Sequence, residues 1–172
     1  MNSIVIDLTS NKHYVALSYN EKHYFFEFEE ESIKKRNDWD HKISTIRDNI
    51  PGFEFEHIEQ MAYAAGPGSY TGARLAFTFL DTLNLIINKK FYAFSNLTAL
   101  QHNHPERVAV MKGSKNDYFY RYNDTDHYCE SLDEIPKDTA YVVLQNDQLK
   151  LKNMIELNCC LLYTSPIPRD PH

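Results

Sequence analysis

Three of the chain's five glycines fall in one short run, Gly66-Pro67-Gly68-Ser69-Tyr70-Thr71-Gly72. Glycine permits positive φ and close backbone approach, and Pro67 stiffens the turn between the first two. Ser69 and Thr71 can each cap a helix starting here, whose N-terminus presents free N–H groups and a partial positive charge. A strand–tight loop–helix joint of this kind can hold an anion, or can simply let a helix sit flush on its sheet. The familiar loop chemistries do not fit it. A Walker loop needs Lys after its closing glycine, where Ala73 stands. A nucleophile elbow needs glycine two places either side of Ser69, but Pro67 and Thr71 occupy those positions. A dinucleotide fingerprint fails because Thr71 follows Gly66 and Gly68 where the third glycine belongs.

Other reactive side chains are scattered. Asp7 closes an apolar run, and a lone carboxylate at a strand end is most often structural. His102 and His104 lie next to Pro105 in a loop-like stretch. Glu27, Glu29 and Glu31 alternate as on a solvated strand face. Cys129, Cys159 and Cys160 match no metal spacing and are too few for a disulfide framework. No metal site is expected. A net charge of −6 disfavours direct grip on a nucleic-acid backbone. The basic cluster Lys34-Lys35-Arg36 sits behind the acidic Glu29-Glu30-Glu31 and reads as a solvated segment.

The elements that must position the glycine run follow from periodicity. Met1–Thr9, His13–Tyr19 and His23–Phe28 read as strands joined by turns at Ser10-Asn11-Lys12 and Asn20-Glu21-Lys22, an antiparallel meander. Val15, Leu17 and Tyr19 share one face of the second strand; Tyr14, Ala16 and Ser18 share the other. Asn37 or Asp38 can cap a helix with Trp39, Ile43, Ile46 and Ile50 on one side, stopped by Pro51-Gly52. Met61–Ala65 is an interior strand feeding the glycine run. A long apolar helix follows from Ala73 to about Asn88, then a strand at Phe91–Phe94 and a short helix capped by Asn96 that ends near Gln101. This βββαβαβα order argues for an α/β or mixed sheet. Strands at Arg107–Met111, Tyr118–Tyr122 and Thr139–Leu144 suggest a second, similar lobe, without a visible sequence repeat. The 172 residues suffice for one domain or two small lobes. No run approaches the ~18 apolar residues of a membrane span and the N-terminus lacks a signal-peptide pattern, so a cytoplasmic protein with no membrane partner is expected.

The segment Ala65 to Arg74 closely resembles the G-P-G-S-[FY]-T-G-x-R signature of the TsaB (YeaZ) family, with Gly66, Pro67, Gly68, Ser69, Tyr70, Thr71, Gly72 and Arg74 in place. Ile4-Val5-Ile6-Asp7-Leu8-Thr9-Ser10 resembles the family's opening strand, and Ala93 to Leu100 its V-S-x-L-x-A-L segment. The resemblance runs from residue 1 to about 122. It departs at Ala76, Phe77 and Phe79, where the family favours small residues, and at Lys112, where the family commonly carries Asp.

The resemblance implies an α/β, actin/Hsp70-like (ASKHA, ribonuclease H-like) two-lobed architecture. Lobes are expected at residues 1–104 and 105–159, the second incomplete. It further implies a non-catalytic partner of the TsaD threonylcarbamoyltransferase, acting in threonylcarbamoylation of tRNA adenosine at position 37. The chain would meet tRNA only indirectly, carry no cofactor of its own, use ATP only within the complex, work alongside a TsaE-like ATPase, and form a homodimer when alone. The long helix is apolar nearly all round, so a second face needs covering. Trp39, Ile43, Ile46, Leu75, Phe79, Leu83 and Ile86 are the expected partner interface. The alternative is an ASKHA-type ATPase using Asp7 and the Gly66–Gly72 loop on nucleotide. Residues 160–172 do not continue the family pattern. From Cys160 to Asp170 they closely resemble the translation of a transposon-type sequencing adapter, with Ile167 in place of Ser, so a non-native tail is expected there.

Overall fold

A computed structural model describes residues 1–29 and 39–160. The proposed Asn37/Asp38 cap, the Lys34–Arg36 cluster, Glu30, Glu31 and all of the tail beyond Cys160 lie outside the described residues.

The first sheet contains β1 (Ser3–Asp7), β2 (Lys12–Tyr19), β3 (Lys22–Glu29), β4 (Gln60–Ala64) and β5 (Phe91–Phe94), in the order β3-β2-β1-β4-β5. β1, β2 and β3 form the antiparallel meander, and β4 and β5 add in parallel. Asn20 and Glu21 both take positive φ, 50° and 65°, giving the hairpin a two-residue turn whose twist suits its strands. The alternation read from β2 holds. Val15, Leu17 and Tyr19 join the outer core with Ile4 and Ile6, whereas Tyr14 packs on the inner face with Val5.

Two helices cover the outer face. α1 (Trp39–Asn49) buries Ile46, with Ile50 just beyond it, and α2 (Tyr70–Ile87) buries Ala76, Leu80 and Leu83. Asn88 ends α2 in the left-handed conformation, its N–H bonded to Asn84 O. α3 (Asn96–Gln101) leaves the first lobe and packs on the second.

The second sheet contains β6 (Val108–Lys112), β7 (Tyr118–Tyr122), β8 (Thr125–Cys129), β9 (Tyr141–Leu144) and β10 (Met154–Leu157), in the order β10-β9-β6-β7-β8. Replacing β6 to β10 by β1 to β5 reproduces the first sheet, strand for strand and direction for direction. The duplication suggested by pattern is thus a duplication of topology. The helices are not repeated. The connections that α1 and α2 make in the first lobe are carried in the second by single 3-10 turns at Leu132–Glu134 and Gln145–Asp147. β8 and β10 are strands that the sequence reading did not find.

Tyr19 ties the meander to the segment after α1. It is 1% exposed, and its hydroxyl meets His57 Nδ1 at 2.6 Å, Gly52 O at 3.1 Å and the Glu54 N–H at 3.2 Å. Tyr19→Phe keeps the packing but strands these groups. It is expected to cost about 1–3 kcal/mol, seen as a lower urea midpoint with an unchanged slope.

Candidate functional site

The glycine run lies where β4, α2, β1 and α3 meet. Gly66 and Gly68 take positive φ of 117° and 145°, and the Gly66–Pro67 peptide is cis. A Cβ on Gly68 would lie 2.7 Å from Thr9 O, and one on Gly72 would fall onto the Leu8 carbonyl. Both glycines are therefore required because the loop and the first turn of α2 rest directly on the backbone at the end of β1.

Hydrogen bonds fix that contact. Ser69 N–H donates to Thr9 O at 2.7 Å. Ser69 Oγ caps α2 by accepting from Gly72 N–H at 3.1 Å; of the two expected caps, Ser69 is the one used. One N–H of the helix start is thus committed to Ser69 Oγ and the preceding loop N–H to Thr9, which leaves less of this N-terminus to offer an anion.

Asn96 completes the joint. Ser95, not Asn96, caps α3, because Ser95 Oγ accepts from Leu97 N–H at 3.1 Å. That frees the Asn96 side chain, whose Nδ2 donates to Thr9 Oγ1 at 2.8 Å and to Pro67 O at 2.7 Å. Its backbone N–H donates to Gly66 O at 2.8 Å. Thr9 in turn donates to Asp7 Oδ1 from its hydroxyl at 2.5 Å and from its N–H at 2.8 Å. Asp7, Thr9, Asn96 and Pro67 therefore form one buried polar chain. Asn96 is 1% exposed, and its Oδ1 has no hydrogen-bond partner among the described residues.

The Asn96 side chain lines a cavity of about 440 Å³ between the lobes, with Asp7, Tyr14, Lys112, Asp147 and Cys159. A neighbouring cavity of about 450 Å³ runs past Ser10, Gly68 and Gly113. Burial pushes the Asp7 carboxyl up from its ordinary value, against the pull of the two Thr9 hydrogen bonds. Burial is also the main cause that raises Tyr14 to about 12, with Cys159, Glu27 and Asp7 adding to it. The buried Cys160 thiol is raised well above its usual range, the opposite of an activated nucleophile. Lys112, read as a departure from an expected Asp, is met by an acid from elsewhere: its N–H donates to Asp147 Oδ2 at 3.0 Å. Burial raises Asp147 while the Lys112 hydrogen bond and charge lower it. No sequence signal marks Asp147, which arrives on the 3-10 turn after β9.

A second surface lies on the far side of α2, between it and α1. Trp39 and Phe79 stack with centroids 3.6 Å apart and planes 6° from parallel. Leu75 and Ile43 are half-buried beside them and Ile86 is 69% exposed. The expected interface needs a correction here. Ile46, at 1% exposure, and Leu83, at 7%, point into the lobe's own core because they lie on the sheet-facing sides of their helices. Trp39, Ile43, Leu75 and Phe79 are part-buried against the lobe's core, and Ile86 stands exposed on α2. Arg74 lies over the Tyr70 ring, 5.7 Å from its centroid, on the solvent side of the first turn of α2. His102 is exposed, and among the described residues no group of three His, Cys, Asp or Glu converges as metal ligands do.

The family model for tRNA N6-adenosine threonylcarbamoyltransferase, TsaD, matches residues 49–161, well over half of the 172. The chain belongs to this family. Among solved structures it resembles YeaZ from Pseudomonas aeruginosa, with a TM-score of 0.65 and 12% identity over 83% of this chain and 74% of that one. It likewise resembles an uncharacterized protein with similarity to peptidase YEAZ from Pseudomonas aeruginosa, at TM-score 0.60, 12% identity and the same coverages, 83% and 74%. No curated protein matches the chain by sequence. The resemblance read from the glycine run is borne out, and the fold is the two-lobed actin/Hsp70-like architecture. Family membership ties the chain to threonylcarbamoylation of adenosine in tRNA. Among the described residues no helix is long and apolar enough to cross a membrane.

Asp7 gives a test of the buried chain. Its folded-state pKa is raised above its unfolded value, so the folded state holds the proton more tightly. The associated stability is fully present below the unfolded pKa and is lost as pH rises through the folded pKa. Asp7→Asn keeps an acceptor oxygen for Thr9 and removes the titration. Chemical denaturation from pH 4 upward should show the wild type losing stability relative to Asp7→Asn as pH rises.

Proposed function

We propose that this chain is a non-catalytic partner subunit of a TsaD-like threonylcarbamoyltransferase, docking through the apolar face of α1 and α2 and acting on tRNA adenosine at position 37 only through that partner. The observation that carries this reading is the apolar surface of α1 and α2: Trp39, Ile43, Leu75 and Phe79 are only part-buried, and Ile86 on α2 is 69% exposed. Apolar side chains left at the surface beside aromatic rings are typical of a protein interface. A catalytic subunit built on the same fold presents helices of the same kind, and two helix pairs bury each other as a joint bundle. The same face also suits self-association when the chain is alone. A TsaE-like ATPase belongs to the same assembly, ATP acts only within the complex, and the cytoplasm is the compartment in which it works.

The interior of the inter-lobe cleft supports the non-catalytic part of this reading. Its buried Cys160 thiol is raised rather than activated, and Asp7 is 3% exposed and engaged by Thr9. One observation favours the other reading, an ATPase of the same fold. The cleft holds about 440 Å³ of space, with Asn96 Oδ1, unpartnered among the described residues, on its wall. Tight, Mg-dependent ATP binding by the isolated chain would select it.

The docking reading is tested by co-purification with the TsaD homologue of the same organism. Ile86→Glu, at an exposed position, should leave the melting temperature unchanged and weaken binding at least about tenfold, as loss of an interface anchor does. Tyr122→Glu, on the exposed end of β7, should bind as wild type. Equal binding by all three chains would reject the α1–α2 face as the docking surface.

A further inference from the structure

Each sheet has two edges, and an edge strand offers a row of unpaired backbone N–H and C=O groups to any chain that can lie alongside it. Three of the edge strands interrupt that row with charge: Lys22, Glu27 and Glu29 on β3, Asp126 on β8 and Glu156 on β10. β5 carries no such guard. Its four residues, Phe91 to Phe94, include no charge, proline or glycine, and among the described residues β5 pairs with β4 alone.

The register says which groups of β5 are free. The Ala65 N–H donates to Phe94 O at 2.9 Å, so Phe94, and with it Tyr92, turns its backbone groups toward β4. Phe91 and Ala93 therefore point theirs outward. Ala93 is exposed, and Tyr92 is 40% exposed. Ala93 is also the small residue on the outer face of the edge, level with Tyr63 on β4. Three rings stand beside it: Tyr63 lies 6.1 Å from Phe77 and 6.0 Å from Phe91, and Phe77 lies 5.4 Å from Phe91, with Phe77 45% exposed. A large side chain on an added strand has room beside Ala93 and an aromatic wall to pack against.

Charge narrows the occupant further. Lys89 and Lys90 stand exposed just before β5 and take part in no ion pair among the described residues. On an antiparallel neighbour, the residue opposite Ala93 comes first and the one opposite Phe91 two places later, followed by those level with Lys90 and Lys89. The first has room to be large, the third packs best as a small residue against the Phe91 ring, and the last two meet positive charge. A second copy of β5 meets the first two demands, with Phe91 on Ala93 and Ala93 on Phe91. It sets Phe94 and Ser95 against the lysines, however, and leaves both charges unanswered.

We propose that the outer edge of β5 binds an extended acidic segment of another protein by antiparallel strand addition, in the pattern large-any-small-acid-acid. The backbone groups of Phe91 and Ala93 hold the segment, and the alternate side chains and the two lysines select it. This goes beyond docking through the apolar face of α1 and α2 and uses none of the residues assigned to that face.

The probe is a fluorescein-labelled peptide with the core Leu-Thr-Ala-Asp-Glu, titrated with the full chain and read by anisotropy. Saturable binding is expected. N-methylation of the peptide's Leu and Ala amides, the two that face the edge, should weaken it at least about tenfold. Ala93→Pro removes an outward N–H and no bond to β4, and should weaken it to a similar degree with the melting temperature checking the fold. Lys89→Glu with Lys90→Glu should weaken it about five- to tenfold, and a peptide ending in two lysines should bind that variant better than it binds wild type. No saturation overturns the proposal, as does equal binding of the N-methylated peptide. It is also overturned if the wild type sediments as a dimer that Ala93→Pro returns to monomer, which assigns the edge to a second copy.

Discussion

The contact on which the rest of the structure depends is that of bare backbone on bare backbone, where Gly68 and Gly72 meet Leu8 and Thr9. Without room for a single Cβ, the start of α2 can sit only at one height above the end of β1. That height sets where Ala76 and Leu80 meet the sheet, and through them the outer core of the first lobe. The same contact brings Thr9 within reach of Asn96 and so fixes where α3 begins. A packing constraint on two glycines is thereby converted into the relative placement of two lobes.

The lobes solve the same topology with different materials. The first covers its outer face with two α-helices, and burial there is dense enough that Ile46, Leu80 and Leu83 are all withdrawn from solvent. The second closes its outer face with side chains from 3-10 turns and loops, among them Ile135, Leu149 and Leu132, and draws its one helix from the other lobe. Apolar area per residue is the main stabilising term, so the second lobe leans on α3 more heavily than the first lobe does.

The sequence was most informative where chemistry and geometry coincide. Glycines at 66, 68 and 72, with Ser69 between them, specify a tight loop and a capped helix, and those features are in place. Alternation in β2 correctly assigned its faces. The reading lost ground where a residue's role is set by something distant. Asn96 looks like a helix cap until Ser95 is seen to fill that role, after which its amide is free for Thr9 and Pro67. Thr125–Cys129 reads as polar because an edge strand needs only Cys129 to face the core. Helical spacing identified the apolar sides of α1 and α2, but their angle to the sheet decides that Ile46 and Leu83 turn inward while Ile86 stays out. Asp147 reaches the cleft on a turn that no local pattern distinguishes.

α3 is only six residues, about 9 Å of helix, yet its two ends belong to different bodies. Its first residue is bonded into the first lobe through Gly66, Pro67 and Thr9, while Leu97 and Leu100 are bedded in the second. A rod this short and this firmly held at both ends has no slack. The joint therefore serves two cores at once, that of Ala76 and Leu80 and that of Leu97 and Leu100.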